Sequence, residues 1–124
     1  MKNTFYFYHG GFTGPSLEIL YKKSNFEVSI RTQNKILTYY VKSPEKNKWD
    51  KFFLFLDKIN IWEWKKEYID HNILDGTQWE INFSNSLKKI KSYGSNKFPN
   101  KKIFKNLLME IEILFDIKEL KKLK

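Results

Sequence analysis

Leu17-Glu18-Ile19-Leu20-Tyr21-Lys22-Lys23-Ser24-Asn25-Phe26-Glu27-Val28-Ser29-Ile30 is the stretch on which the fold class turns. Leu17, Ile19 and Tyr21 recur at period two, and Phe26, Val28 and Ile30 do the same after Lys23-Ser24-Asn25. Side chains at alternate positions of a strand share a face, so this pattern predicts a β-hairpin with one buried side. Upstream, Phe5 and Phe7 alternate with Tyr6 and Tyr8 to give a first strand, and a loop holding Gly10, Gly11, Gly14 and Pro15 follows it. Downstream, Ile36 to Val41 is β-branched and aromatic and reads as a further strand.

The period then changes. Ser43-Pro44-Glu45 has the chemistry of a helix start, with a hydroxyl to accept an orphan N–H, Pro at the first helical position and an acid in the first turn. Trp49, Phe52, Phe53, Leu56 and Ile59 form one helical stripe, ending near Asn60. Leu54 and Phe55 widen it, which predicts burial on more than one side or cover by a partner. Ile61 to Tyr68 puts Trp62 and Trp64 at period two and reads as a strand. Asp75-Gly76 is a turn, Trp79, Ile81 and Phe83 alternate behind it, and Leu87 to Tyr93 returns after Ser84-Asn85-Ser86 as a second hairpin. Asn100 can cap a last amphipathic helix carrying Ile103, Phe104, Leu107, Leu108, Ile111, Leu114 and Phe115, before a basic tail over about 117–124 that frays. The connections are too short for parallel crossovers. The expected fold is α+β, an antiparallel β-sheet built of hairpins with two amphipathic helices packed on one face.

At 124 residues the chain is one domain, 1–124, able to bury about two thirds of its unfolded surface. It has no Cys, which excludes disulfide scaffolds, thiolate metal sites and cysteine nucleophiles. An aromatic fraction of 18% is too high for a disordered chain, and the longest apolar run, Phe52 to Leu56, is too short for a bilayer. The first residues lack the apolar core of a signal peptide, so a cytoplasmic protein is expected.

The net charge of +9 is unevenly spread. Lys88, Lys89, Lys91, Lys97, Lys101, Lys102 and Lys105 lie between Ile81 and Met109 without a single acid, a local +7. AT-rich codon usage explains 22 Lys against one Arg, and a solvated face is one reading of the run. Codon bias does not explain why acids vanish from this stretch alone, so an anion-facing surface is the other. Cations on the first turn of a helix oppose its dipole, by about 0.3–1 kcal/mol each, so helix stability does not select them. Lysine lacks the bidentate fork that reads guanine, so any nucleic-acid contact would be to phosphate. The candidate partner-binding residues are therefore Lys88, Lys89, Lys91, Tyr93, Lys97, Lys101, Lys102 and Lys105.

No catalytic constellation is visible. His9-Gly10-Gly11 has the composition of an esterase oxyanion loop, but Gly-x-Ser-x-Gly is missing, and a turn after the first strand is the plainer reading. Asp70, His71 and Asp75 fall short of a converging ligand set and suit Asx turns and caps. Glu63 and Glu67 are separated by Lys65 and Lys66 and read as solvated. Gly94-Ser95-Asn96-Lys97 lacks the phosphate-loop spacing. Trp49 and Trp79 belong to the core by pattern. Trp62 and Trp64 read as core too, and would make interface anchors if exposed. No cofactor and no metal are expected.

Trp64-x3-Tyr68, Asp75-Gly76-Thr77-x-Trp79 and Gly94-Ser95-Asn96-x-x-Pro99, in that order, resemble the signatures of a family of small uncharacterised bacterial and phage proteins. The resemblance covers roughly residues 44–115 and implies a shared fold with no activity to carry over. In its short, Lys-, Asn- and Ile-rich make-up the chain is similar in type to phage-encoded anti-CRISPR proteins, which bind an RNA-guided nuclease without an active site. The expectation is a non-enzymatic inhibitor or binding protein whose Lys-rich surface docks on a larger protein or ribonucleoprotein, acidic or RNA-bearing. A sequence-tolerant RNA- or DNA-binding module and a toxin-neutralising immunity protein are the alternatives, and no membrane partner is expected.

Overall fold

The computed structural model describes residues 4–11, 15–22, 25–32, 35–72 and 76–117. Its elements are β1 (Thr4–Gly11), β2 (Ser16–Lys22), β3 (Asn25–Arg31), β4 (Ile36–Lys42), α1 (Lys46–Lys58), a 3-10 turn (Ile61–Glu63), β5 (Glu67–Ile69), β6 (Thr77–Ser84), β7 (Lys89–Ser95) and α2 (Lys101–Phe115). The fold is α+β, with a seven-stranded sheet in the order β4-β3-β2-β1-β6-β7-β5. No helix among the described residues is long and apolar enough to cross a membrane.

Both hairpins form where the alternation puts them. Leu17, Ile19 and Tyr21 of β2 lie opposite Ile30, Val28 and Phe26 of β3. On β1, Phe5, Phe7 and His9 lie opposite Phe83, Ile81 and Trp79 of β6. Phe5 is the hub of the core: its ring stacks on Phe83 at 4.7 Å and meets Phe26, Trp49, Phe52 and Phe115 at 5.1–5.9 Å. Trp49 and Phe52 come from α1 and Phe115 from α2, so one strand residue ties both helices to the sheet.

Several details differ from expectation. The sheet is mixed, because β5 pairs with β7 in parallel while every other pair is antiparallel. β5 hands over to β6, which lies on the far side of β7 and runs opposite to it. Skipping one strand in this way needs only a short link, not a crossover helix. Ile61 to Tyr68 is not one strand. Asn60 adopts a left-handed conformation (φ 54°), the 3-10 turn follows, and only Glu67–Ile69 extends. Ser43 does not cap α1. Glu45 is the N-cap and makes no side-chain capping bond, while the Ser43 hydroxyl accepts from Trp49 Nε1 at 3.3 Å. Leu54, on the widened side of α1, is 67% exposed. His9, Gly10 and Gly11 belong to β1 rather than to a turn, and Gly10 lies where an added Cβ would collide with Ser16 of β2. Asn100 does cap α2, accepting from the Ile103 N–H at 3.0 Å. Ile117, the first residue of the expected tail, is buried; the rest of that tail, 118–124, and Gly14 and Asp75 lie outside the described residues.

Removing a large ring from a close-packed core leaves a void that its neighbours fill only in part. Phe5→Ala and Trp49→Ala are each expected to lower unfolding free energy by about 3–5 kcal/mol in chemical denaturation, enough to consume much of a small domain's stability. An unchanged midpoint in either would mean that its ring does not carry the core.

Candidate partner-binding surface

All eight sequence-predicted site residues are exposed. They are carried by four parts of the chain: the β6–β7 turn, β7, the link after it and α2. β7 alternates Lys89, Lys91 and Tyr93 outward with Ile90, Ser92 and Gly94 inward. Tyr93 stands directly between Glu67 of β5 and Glu80 of β6, and its hydroxyl donates to Glu67, an interaction that raises the Tyr93 pKa. Lys88 is not on the strand. It sits in the β6–β7 turn, where Asn85 Oδ1 accepts from the Leu87 and Lys88 N–H groups at 2.9 and 2.8 Å. Its ammonium lies 3.4 Å from Asp57 Oδ1 and 6.0 Å from the centre of the Trp62 ring, which ties it to α1.

The remaining four residues gather where β7 passes into α2. The buried Trp79 indole donates to the Lys97 carbonyl at 2.8 Å. That bond passes beside Gly94, where any Cβ would run into the indole and into the Lys97 carbonyl. Asn96 turns the chain with φ 62°, its N–H donating to Thr77 O at 2.7 Å. Phe98 then stacks on Trp79 at 6.2 Å, and the Asn100 cap starts α2 at Lys101. One helical turn apart, Lys101 and Lys105 flank a cleft of about 210 Å³ whose other walls are His9, Phe98, Phe104 and Leu108. Lys102 is exposed beside Lys101 on the first turn. Lys97, Lys101, Lys102 and Lys105 make no ion pair among the described residues.

His9 is the wall residue that the sequence reading assigned to a turn. Its ring lies 5.7 Å from Phe104 and 6.4 Å from Phe98, and burial pushes its pKa below the ordinary histidine value. The signal was present in the sequence, because the Phe5, Phe7 alternation continues to position 9. A second, larger hollow of about 780 Å³ opens between the start of α1 and the β6–β7 turn, over Trp49 and Phe53, with the exposed Leu54 and Leu87 on its walls. Its one acid, Asp50, is 3.0 Å from Lys46, so it carries no charge imbalance. The smaller cleft is the better candidate site for that reason.

Among the described residues no three His, Asp or Glu side chains could hold a metal ion. Asp70 Oδ1 accepts from the Asn72 N–H at 3.0 Å, an Asx turn, and His71 is exposed. Glu63 and Glu67 are both exposed. No family model matches the chain, and no curated protein matches it.

Gly94→Ala is expected to cost about 1–3 kcal/mol in chemical denaturation, as over-packing against a fixed indole does, with a change in tryptophan emission. Wild-type stability there would show that the Trp79–Lys97 bond tolerates displacement. His9 gives a pH signature. Above pH of about 6.5 the residue is neutral in both folded and unfolded chains and contributes no slope. As pH falls below that value, the unfolded chain takes up a proton that folded His9 resists, so stability drops until the folded pKa is passed. The denaturation midpoint of the parent should therefore fall more than that of His9→Gln between about pH 7.5 and about pH 5.5. Parallel curves would show that His9 titrates as in the unfolded chain.

Proposed function

We propose that this protein is a non-enzymatic binding protein, an inhibitor or blocker, that docks the cationic start of α2 on a larger, acidic partner in the cytoplasm. The observation that carries this reading is the cleft beside α2: its walls hold two lysines and no acid, and Lys97 and Lys102 adjoin it in the chain. Cations that oppose a helix dipole and make no internal ion pair are suited to charges on another molecule. In its sharpest form the partner is an RNA-guided nuclease, which the likeness in type to phage anti-CRISPR proteins supports; an immunity protein that neutralises a toxin would use the same surface. The resemblance of roughly residues 44–115 to the small bacterial and phage family adds no active-site residue that would argue for an enzyme. We also infer that α1 and α2 lie on one face of the sheet, because Phe5 meets rings from both.

Direct RNA or DNA binding is the second reading. Lys89, Lys91 and Tyr93 at alternate positions of β7 favour it, as a ring and two cations on an open strand can follow a phosphate backbone. Glu67 and Glu80 on either side of Tyr93 weigh against it.

A pull-down from the native host with the parent and with a Lys101→Glu, Lys102→Glu, Lys105→Glu variant tests the first reading. The variant loses six charge units while all three side chains are exposed, and acids there favour the helix dipole, so it is expected to fold as well as the parent. The expected result is one protein retained by the parent, released as salt rises, and lost by orders of magnitude in the variant. Equal capture by both would sink this reading. Retention of bare RNA and DNA by the parent with the salt slope of phosphate contacts, lost in Lys89→Glu, Lys91→Glu, would replace it with the second.

A further inference from the structure

The cleft beside α2 has a shape as well as a charge. Its volume of about 210 Å³ is below the roughly 300–1,000 Å³ of sites that enclose whole small molecules, so it has room for one side-chain-sized group. Phe98 and Phe104, 4.8 Å apart and tilted by 57°, offer ring faces and edges, and Leu108 closes the wall. His9 is the one polar group among the walls apart from the two lysines at the rim. Burial keeps its imidazole neutral at physiological pH, so the positive charge belongs to Lys101 and Lys105 alone.

A group that fits must present apolar surface inward and negative charge at the edge. A nucleobase meets the second condition through its phosphate and can stack on a ring, but its polar edge atoms need water or partners that Phe98, Phe104 and Leu108 do not supply. An aromatic side chain buries its ring with no such penalty, and acidic neighbours along its own chain would reach the two ammonium groups. We propose that the cleft takes one aromatic side chain of a partner polypeptide, flanked by aspartate or glutamate, with the ring between His9, Phe98, Phe104 and Leu108 and the carboxylates on Lys101 and Lys105. This rests on the reading of the protein as one that docks on an acidic partner, and it names the anchor.

The probes are two blocked peptides, Asp-Glu-Phe-Glu-Asp and Asp-Glu-Ala-Glu-Asp, and a twelve-residue oligothymidylate, each titrated into the full chain at low salt and followed by amide chemical shifts. The expected result is that the Phe peptide binds at least about tenfold more tightly than the Ala peptide, because a buried ring contributes that much. Shifts should be confined to residue 9 and residues 97–108. Leu108→Trp, which fills the cleft from its rim, should remove the difference between the peptides while leaving the weak binding of both. Equal binding of the two peptides by the parent overturns the anchor and leaves the acidic-partner reading standing. Absence of binding by either peptide overturns both. Binding of the oligothymidylate at this cleft in place of the Phe peptide overturns the anchor in favour of a base.

Discussion

The bond from the Trp79 indole to the Lys97 carbonyl, 2.8 Å long, is the constraint from which the candidate site follows. Trp79 is 1% exposed, and a buried N–H left without an acceptor carries a penalty of about 1–3 kcal/mol. The acceptor it uses belongs to the link after β7, so that link must fold back over the end of the sheet. Asn96 accomplishes the reversal in a left-handed conformation, for which asparagine is suited. Gly94 leaves the space through which the indole reaches. Once residues 96–98 are held there, Phe98 lies on Trp79, Phe104 meets both rings, and α2 starts with Lys101 pointing at the cleft mouth. The site is thus a consequence of satisfying one polar atom in the core.

The same core places Trp64 and Tyr68 around Trp79, at 6.0 and 5.9 Å, which explains why residues 61–68 abandon the strand that their sequence suggests. Trp62 and Trp64 at period two match a strand, and short windows cannot tell that from a turn whose two indoles have separate partners. Trp62 donates back to Asp57 at 2.7 Å, and Trp64 stacks on Phe104 of α2. The first partner is five residues back across the end of α1 and the second is 40 residues away, and alternation at period two reaches neither. The parallel entry of β5 was hidden for the same reason: three residues carry too little periodicity to announce a strand, and their pairing depends on where β7 has already gone. By contrast, the alternation of β1, β2, β3 and β6 and the Asn100 cap were legible, because each depends on contacts within a few residues or on a single buried face. For the site, the cations were legible as composition and their grouping was not. Turn geometry at Asn85 removes Lys88 from the strand, and His9 was passed over because glycine neighbours read as a loop although the alternation ran through them.

The positions alternating with the β-sheet's buried ones show what becomes of polar groups that do serve the fold. Tyr6 donates to Glu18 at 2.8 Å and Tyr40 to Glu27 at 3.0 Å, and Tyr93 donates to Glu67. Burial, and then the hydrogen bond to Glu18, raise the Tyr6 pKa, as expected where a neutral phenol shields a carboxylate. Each tyrosine therefore pairs with an acid on a neighbouring strand, and polar surface there is spent on holding strands in register. Lys89 and Lys91 share the outward side of β7 with Tyr93 and lie opposite Ser84 and Asn82 of β6. Among the described residues the start of α2 has no such internal pairing. Its cations lie in a stretch without acids, against a dipole that disfavours them, beside a hollow whose walls are mostly hydrocarbon. Among the described residues, fold stability accounts for the first arrangement and not for the second, since the cations at the cleft have no ion-pair partner and Phe98 and Leu108 are only partly buried. In the docking reading proposed above, a surface that brings a ring and carboxylates together would complete both at once, and it is that pairing, rather than the total charge, on which the proposal for this end of the molecule rests.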